Sequence, residues 1–225
     1  ARANRVNRIT MDSPKARYGI MASGKSYEDV RQALRELGIT EEVAARIGLR
    51  LGKIGMPWPL DPVWVREFAV GLEEILVVEE RREIVENQVK FELFGWRDDV
   101  RPRVVGKMDN RDKRFFPFSQ ELSVALIATS LVDRLLMLDL NPEIVAMLRA
   151  KADWFHGREA YQVQAVAPVT RTPYFCSGCP HNTSTKVPEG SRAMAGIGCH
   201  FMAQWMDRST ETFTQMGGEG VPWTA

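Results

Sequence analysis

Between Tyr18 and Gly106 the chain alternates short apolar runs with helical patterns, and this alternation constrains the fold more than any other feature. Tyr18 to Ala22 is a run suited to a buried strand. Ser26 is placed to cap a helix whose apolar face is Tyr27, Val30, Leu34 and Leu37, with Gly38 as its stop. Thr40, followed by Glu41 and Glu42, starts a second helix that ends near Gly48. Leu49 to Ile54 reads as the next strand, and two prolines make Gly55 to Leu60 a loop. Asp61-Pro62 opens a helix with Val65, Phe68, Ala69 and Leu72 on one face. Ile75 to Val78 has the continuous apolar character of a strand covered on both sides. Ile84, Val85, Val89 and Leu93 mark one more helix, and Val104-Val105 a last strand. Strands separated by helices pair in parallel through right-handed crossovers, so residues 18–106 read as one α/β domain with a parallel sheet.

The flanks differ in character. Residues 1–17 form a basic, polar lead-in carrying Arg2, Arg5, Arg8, Lys15 and Arg17, read as a solvated segment or the tail of a preceding domain. No aromatic side chain interleaves these charges, so they are a poor stacking surface for bases. Residues 107–170 read as a helical connecting region. Ser119 is placed to cap a helix with Leu122, Leu126, Val132, Leu135 and Leu136, and Asn141-Pro142-Glu143 opens another with Ile144, Leu148, Trp154 and Phe155. His156 reads as a surface or packing residue, and Ala165 to Thr170 as a linker.

Residues 171–225 hold the chemistry. All three cysteines fall within the 24 positions from Cys176 to Cys199: Cys176-Ser177-Gly178-Cys179-Pro180-His181, and then, with nineteen residues between Cys179 and Cys199, Gly196-Ile197-Gly198-Cys199-His200. A C-x-x-C carries two thiols on one tight turn, and thiolates so placed bind zinc when four N or S donors close a tetrahedron, or iron when sulfide completes a cluster. His181 or His200 could supply a fourth donor to zinc. A redox dithiol is a further reading, which leaves Cys199 without a role.

A second motif, Gly19-Ile-Met-Ala-Ser-Gly24-Lys25-Ser26, satisfies the pattern of a phosphate loop, with Ile75 to Glu79 as a possible acidic strand. A phosphate loop needs its strand to end before the first glycine, and here Ile20-Met21-Ala22 is the apolar part, which places Gly19 inside the strand. Glu79 and Glu80 then end a strand in a solvated role.

The pair Cys-x-Gly-Cys-Pro-His and Gly-Ile-Gly-Cys resembles the start of the thiamine-diphosphate domain of 2-oxoacid:ferredoxin oxidoreductases. Arg171-Thr-Pro-Tyr-Phe-Cys176 and Phe213-Thr-Gln-Met-Gly-Gly-Glu-Gly220 make the likeness closest to the long, fused indolepyruvate ferredoxin oxidoreductases. That resemblance spans the chain. It implies a transketolase C-terminal-like domain over residues 18–106 with a structural role, and the N-terminal part of a cofactor domain over 171–225. It implies Cys176, Cys179 and Cys199 as three ligands of a [4Fe–4S] cluster, whose fourth ligand lies elsewhere. It further implies two loops lining thiamine diphosphate, with Gly196, Ile197, Gly198 and Cys199 in one and Met216, Gly217 and Gly218 in the other. The Gly-Asp-Gly sequence that anchors Mg2+ and diphosphate is absent from these 225 residues, so the Mg2+ site is expected outside them. The implied activity is oxidative decarboxylation of a 2-oxoacid, an arylpyruvate such as indolepyruvate, with coenzyme A as acyl acceptor and ferredoxin as electron acceptor. The implied partners are the remaining domains of the polypeptide and further copies of it.

Composition bounds this reading. A net charge of +1 from 30 basic and 29 acidic residues gives no electrostatic reason to expect nucleic acid or a membrane as partner. No apolar run is long enough to span a bilayer, and an odd cysteine count points to free or metal-bound thiols in a reducing cytoplasm. Both ends read as cut, at Ala1 and at Val221-Pro-Trp-Thr-Ala225, and the 225 residues by themselves are expected to be inactive.

Overall fold

The computed structural model describes residues 2–221 apart from 112, 120 and 165–170, with side chains undescribed at 159–164; the linker expected at Ala165–Thr170 lies outside the described residues. The chain forms two compact units, residues 1–164 and 165–225.

The first unit is an α/β sandwich on a five-stranded sheet. Its strands are β1 (Arg8–Met11), β2 (Tyr18–Ser23), β3 (Leu49–Ile54), β4 (Glu74–Val78) and β5 (Arg103–Val105), in the spatial order β1-β3-β2-β4-β5. β2, β3, β4 and β5 run parallel, and β1 joins antiparallel to β3. The parallel strands read as near-continuous apolar runs because both faces are covered. On one face lie α1 (Gly24–Glu36), α2 (Glu41–Ile47), α5 (Val124–Leu135) and α6 (Pro142–Gln164), around a core that includes Ile20, Val30, Leu34, Leu76, Ile127, Leu131 and Leu148. On the other lie α3 (Pro62–Ala69) and α4 (Ile84–Leu93), around Met21, Phe68, Ile75, Val77 and Val89. Alternate residues of one strand, Ile20 and Met21, thus feed opposite cores.

Local signals explain some helix boundaries. The Thr40 side chain accepts from Val43 N–H, and Gly48 closes α2. Asp61 accepts from the N–H groups of Val63 and Trp64, with Pro62 at the first helical position of α3.

Several expectations are corrected. Residues 1–17 are not a detached lead-in: Arg8–Met11 pairs along β3, Arg2 Nε lies 2.9 Å from Asp61 Oδ2, and the Asn7 side chain accepts from Gly55 N–H at 3.0 Å. Residues 107–164 are not a separate connecting region. Phe116, Leu122, Ile127, Leu131 and Ile144 share one core with Tyr27, Val30 and Leu34, because the apolar face of α1 needs a cover and α5 supplies it. Helix α5 starts at Val124 behind a Ser123 cap rather than at Ser119, since it is the Ser123 hydroxyl that meets Leu126 N–H. Helix α1 starts at Gly24, straight out of β2, with Ser26 buried in its first turn rather than capping it. Phe155 is buried as expected, whereas Trp154 is exposed.

The phosphate-loop reading also fails on geometry. Gly19 sits within β2, paired with Arg50 on β3 and Ile75 on β4, so its backbone is committed to the sheet. Lys25 pairs with Asp29 at 2.6 Å and Glu121 at 2.7 Å. Glu79 is buried rather than solvated, and its carboxylate accepts from the backbone N–H groups of Ile84, Val85 and Glu86 at the start of α4.

The second unit is smaller. It contains a short helix α7 (His181–Ser184), strands β6 (Ala193–Ala195) and β7 (Thr210–Phe213) paired in parallel, and a 3-10 helix over Cys199–Trp205. Phe201 packs edge-on against Trp205 and Phe213, at 4.9 and 4.7 Å between ring centroids. Among the described residues no helix is long and apolar enough to cross a membrane.

Candidate functional site

The second unit gathers the sequence-marked residues on three turns. The first is the Cys176-x-x-Cys179 turn, closed by Cys179 N–H donating to the Cys176 carbonyl at 3.0 Å. Gly178 occupies its left-handed position at φ 74, which a side chain would strain. The turn runs directly into α7, and Asn182 Nδ2 returns to the Cys176 carbonyl at 3.0 Å. Phe175 is buried, its ring 5.3 Å from that of His181. His181 Nδ1 lies 3.3 Å from Cys179 Sγ.

The second turn, Gly196-Ile197-Gly198, leaves β6 and delivers Cys199 at the start of the 3-10 helix. The ring of His200 is 5.8 Å from that of His181, so the two turns meet through their histidines. Around them lies a cavity of about 310 Å³ bordered by Thr185, Met194, Ala203 and Thr210.

The third turn, Met216-Gly217-Gly218, is pinned by Glu219, whose carboxylate accepts from Gly217 N–H at 2.8 Å. This carboxyl is held below the usual carboxylate range, first by its own backbone N–H and further by those of Gly217 and Ile197. Glu219 therefore draws the second and third turns together, a role the sequence does not advertise.

These residues fit a bound group only in part. The thiols are free, with Cys176 and Cys199 exposed and Cys179 half-buried. Cys176 and Cys179, on one turn, suit a two-thiolate chelate. Cys199 does not join them: among the described residues no three His, Cys, Asp or Glu side chains converge enough to hold a metal ion. A cubane cluster takes four thiolates, so this arrangement offers half a ligand set, and no electron-transfer step is derived through it. The glycine turns divide similarly. A Cβ on Gly196 would lie 2.8 Å from Glu219 Cγ and 2.8 Å from His200 Nε2, so that close approach serves the chain's own packing. In front of Gly217 the space is open.

Sequence reasoning singled out the cysteines and glycines and missed what holds them. Arg208 Nη1 donates to the Asn182 carbonyl at 3.0 Å and to Thr185 Oγ1 at 3.1 Å. It sits 26 residues from Asn182 in a polar stretch, and no periodicity or spacing marks it.

Residues 7–165 match the family model described as the indolepyruvate ferredoxin oxidoreductase middle domain. The indolepyruvate oxidoreductase subunit IorA of Thermococcus kodakarensis is 27% identical over 208 residues, covering 90% of this chain and 28% of that protein. IorA of Pyrococcus abyssi is 29% identical over 210 residues, and IorA of Methanothermobacter marburgensis 26% over 183, covering 90% and 80% of this chain respectively. The chain thus spans 28% of the length of the Pyrococcus relative and 24% of the Methanothermobacter one. Similar solved structures include an inactive tetramer of a split-gene transketolase, at TM-score 0.40 and 17% identity, covering 58% of this chain and 41% of that one. A 2-oxoglutarate:ferredoxin oxidoreductase from Magnetococcus marinus has TM-score 0.40 and 13% identity, covering 57% of this chain and 19% of that one. With most of its length matched by that family model, the chain belongs to the indolepyruvate ferredoxin oxidoreductase middle-domain family.

Proposed function

We propose that this chain is part of an enzyme that oxidatively decarboxylates a 2-oxoacid, an arylpyruvate such as indolepyruvate, with coenzyme A accepting the acyl group and ferredoxin the electrons. The observation that carries the reading is continuity. The family match over residues 7–165 is followed, after ten intervening residues, by a C-x-x-C turn and then by two glycine turns.

The division of labour follows from the side chains. In residues 2–164 several buried polar groups are used internally: Arg134 with Glu74, Glu79 on the start of α4, and Lys107 on the carbonyls of Glu79 and Pro117. That unit serves as a structural domain of transketolase C-terminal-like kind. In residues 171–221, Cys176 and Cys179 would hold a thiophilic metal centre, and the backbone of Met216–Gly218 would line thiamine diphosphate. The chemistry thiamine diphosphate supplies when bound is an electron sink for decarboxylation, while this chain's residues position it and exclude competing contacts. Free thiols suit the reducing cytoplasm.

The test uses the full-length polypeptide. Indolepyruvate with coenzyme A is expected to drive reduction of a viologen dye, and Cys176→Ser to abolish that reduction while the circular dichroism of the protein is unchanged. A full-length protein that reduces the dye with no 2-oxoacid contradicts the proposal. One observation favours a second reading, a zinc-stabilised module, because Cys179 Sγ and His181 Nδ1 already stand 3.3 Å apart as mixed donors. Stoichiometric zinc with a featureless visible spectrum would select it.

A further inference from the structure

The first unit carries an indole whose loop is tied down while the ring stays bare. Trp58 is 69% exposed, yet a single side chain of α4 holds the loop on either side of it. Gln88 Oε1 accepts from Leu60 N–H at 2.8 Å, and Gln88 Nε2 donates to the Pro57 carbonyl at 2.8 Å and the Ile84 carbonyl at 2.9 Å. The start of α4 is fixed as well, since the buried Glu79 carboxylate accepts from the N–H groups of Ile84, Val85 and Glu86. Between this loop and this helix lies a cavity of about 620 Å³, within the range of small-molecule sites. Trp58, Leu60, Ile84 and Phe91 line it, and of these Ile84 is 52% and Phe91 79% exposed. Contiguous apolar surface left outside a core marks a place of binding.

The charges around the cavity are unevenly matched. Glu92 is paired with Arg66 at 2.8 Å, and Glu83 pulls on the buried ammonium of Lys107. Arg82 lines the same cavity and makes no ion pair among the described residues, and the Asn87 side-chain amide is likewise uncommitted there.

We propose that this cavity binds a planar aromatic carboxylate, its ring against Trp58 and Phe91 and its carboxylate on Arg82, with Asn87 as a further donor. A guanidinium offers a carboxylate two parallel N–H groups, and apolar surroundings strengthen such a bond. A ligand ring gains from offset or edge contacts with the two exposed rings beyond the area it buries. The tied loop helps, because little freedom remains to be lost on binding. The site lies wholly on the first unit and uses nothing from the thiol window, so it goes beyond the proposed function and is tested apart from it.

The experiment is calorimetric titration of the 225-residue chain with indole-3-acetate, and with tryptamine, which keeps the indole and replaces the anion by a cation. Indole-3-acetate should bind one to one and about 10-fold or more tighter than tryptamine. Arg82→Gln should erase that preference, and Trp58→Ala should weaken indole-3-acetate by about 10-fold. Arg31→Gln, an exposed arginine of α1 paired with Glu28, should change neither. Both cavity residues are exposed, so thermal unfolding should stay close to that of wild type; should Trp58→Ala unfold early, Arg82→Gln carries the test. No binding of the acid, equal binding of tryptamine, or acid binding that Arg82→Gln leaves intact overturns the proposal. In the full-length polypeptide, indole-3-acetate should slow oxidation of Trp58 by N-bromosuccinimide, read on its own peptide by mass spectrometry. A Trp58 already unreactive without ligand would mean that another protein surface covers the cavity, and overturns the proposal equally.

Discussion

Arg134 is almost wholly buried, and its guanidinium forms a two-pronged bond to Glu74, itself 2% exposed, with Nε 2.7 Å from Oε1 and a further bond to Asn110. Removing one partner leaves an uncompensated charge in the interior, which costs about 3–5 kcal/mol where no substitute exists. Arg103 stands 3.3 Å from Glu74 and offers partial compensation, so Arg134→Met should lose about 3 kcal/mol in urea unfolding, at the low end of that range. The double variant Glu74→Leu/Arg134→Met should lose less than the sum of the single changes. Lys107 is a second buried charge, donating to the Glu79 and Pro117 carbonyls at 2.6 and 2.9 Å. Burial pushes its ammonium below the usual lysine range, against the pull of Glu79 and Glu86. Lys107→Met strands both carbonyls and should cost about 1–3 kcal/mol in the same measurement.

Helix α3 shows how an element is fixed by one side chain. Asp61 caps it through Val63 and Trp64 N–H and is held below the usual carboxylate range, chiefly by the Arg2 hydrogen bond. A carboxyl lowered in the folded state contributes stability that is complete above its unfolded value, near pH 4, and is lost as the pH falls through the folded value. Asp61→Asn keeps a capping oxygen and removes the charge, so its stability should fall less steeply than that of wild type on acidification below about pH 4. Equal slopes in thermal unfolding scans would show that the ionised pair adds nothing. Elements of this kind were legible in the sequence: Asp61-Pro62, Thr40 with Gly48, and the apolar runs of β2, β3 and β4 are set by local chemistry and by burial on both faces. Strand β1 was not, because Arg8, Ile9 and Thr10 lie exposed on an edge and carry no burial pattern. The position of α5 was not legible either, since periodicity shows that a helix has an apolar face without showing what covers it. The same limit applies to the site. Cysteine and glycine spacing announced a thiolate turn, whereas its fastening to Arg208 depends on a contact across 26 residues.

At the scale of the molecule, residues 1–164 and 165–225 form two compact units, and the second carries the thiols. A chain ending at Gln164 should therefore unfold cooperatively at nearly the temperature of the corresponding transition in the full chain. One ending at Gly106 should aggregate, because Val30, Leu34 and Leu37 of the α1 region lose the cover of α5. The proposal on which function depends is that Cys176 and Cys179 contribute to an iron–sulfur centre of the full-length polypeptide. Its most direct test is iron, sulfide and zinc analysis of the full-length polypeptide purified without oxygen, together with its visible spectrum. Iron and sulfide in equal amounts, with a broad absorption that bleaches on adding dithionite and is lost in Cys179→Ser, are the expected result. Stoichiometric zinc without iron, or a bleaching spectrum indifferent to Cys179→Ser, would contradict it.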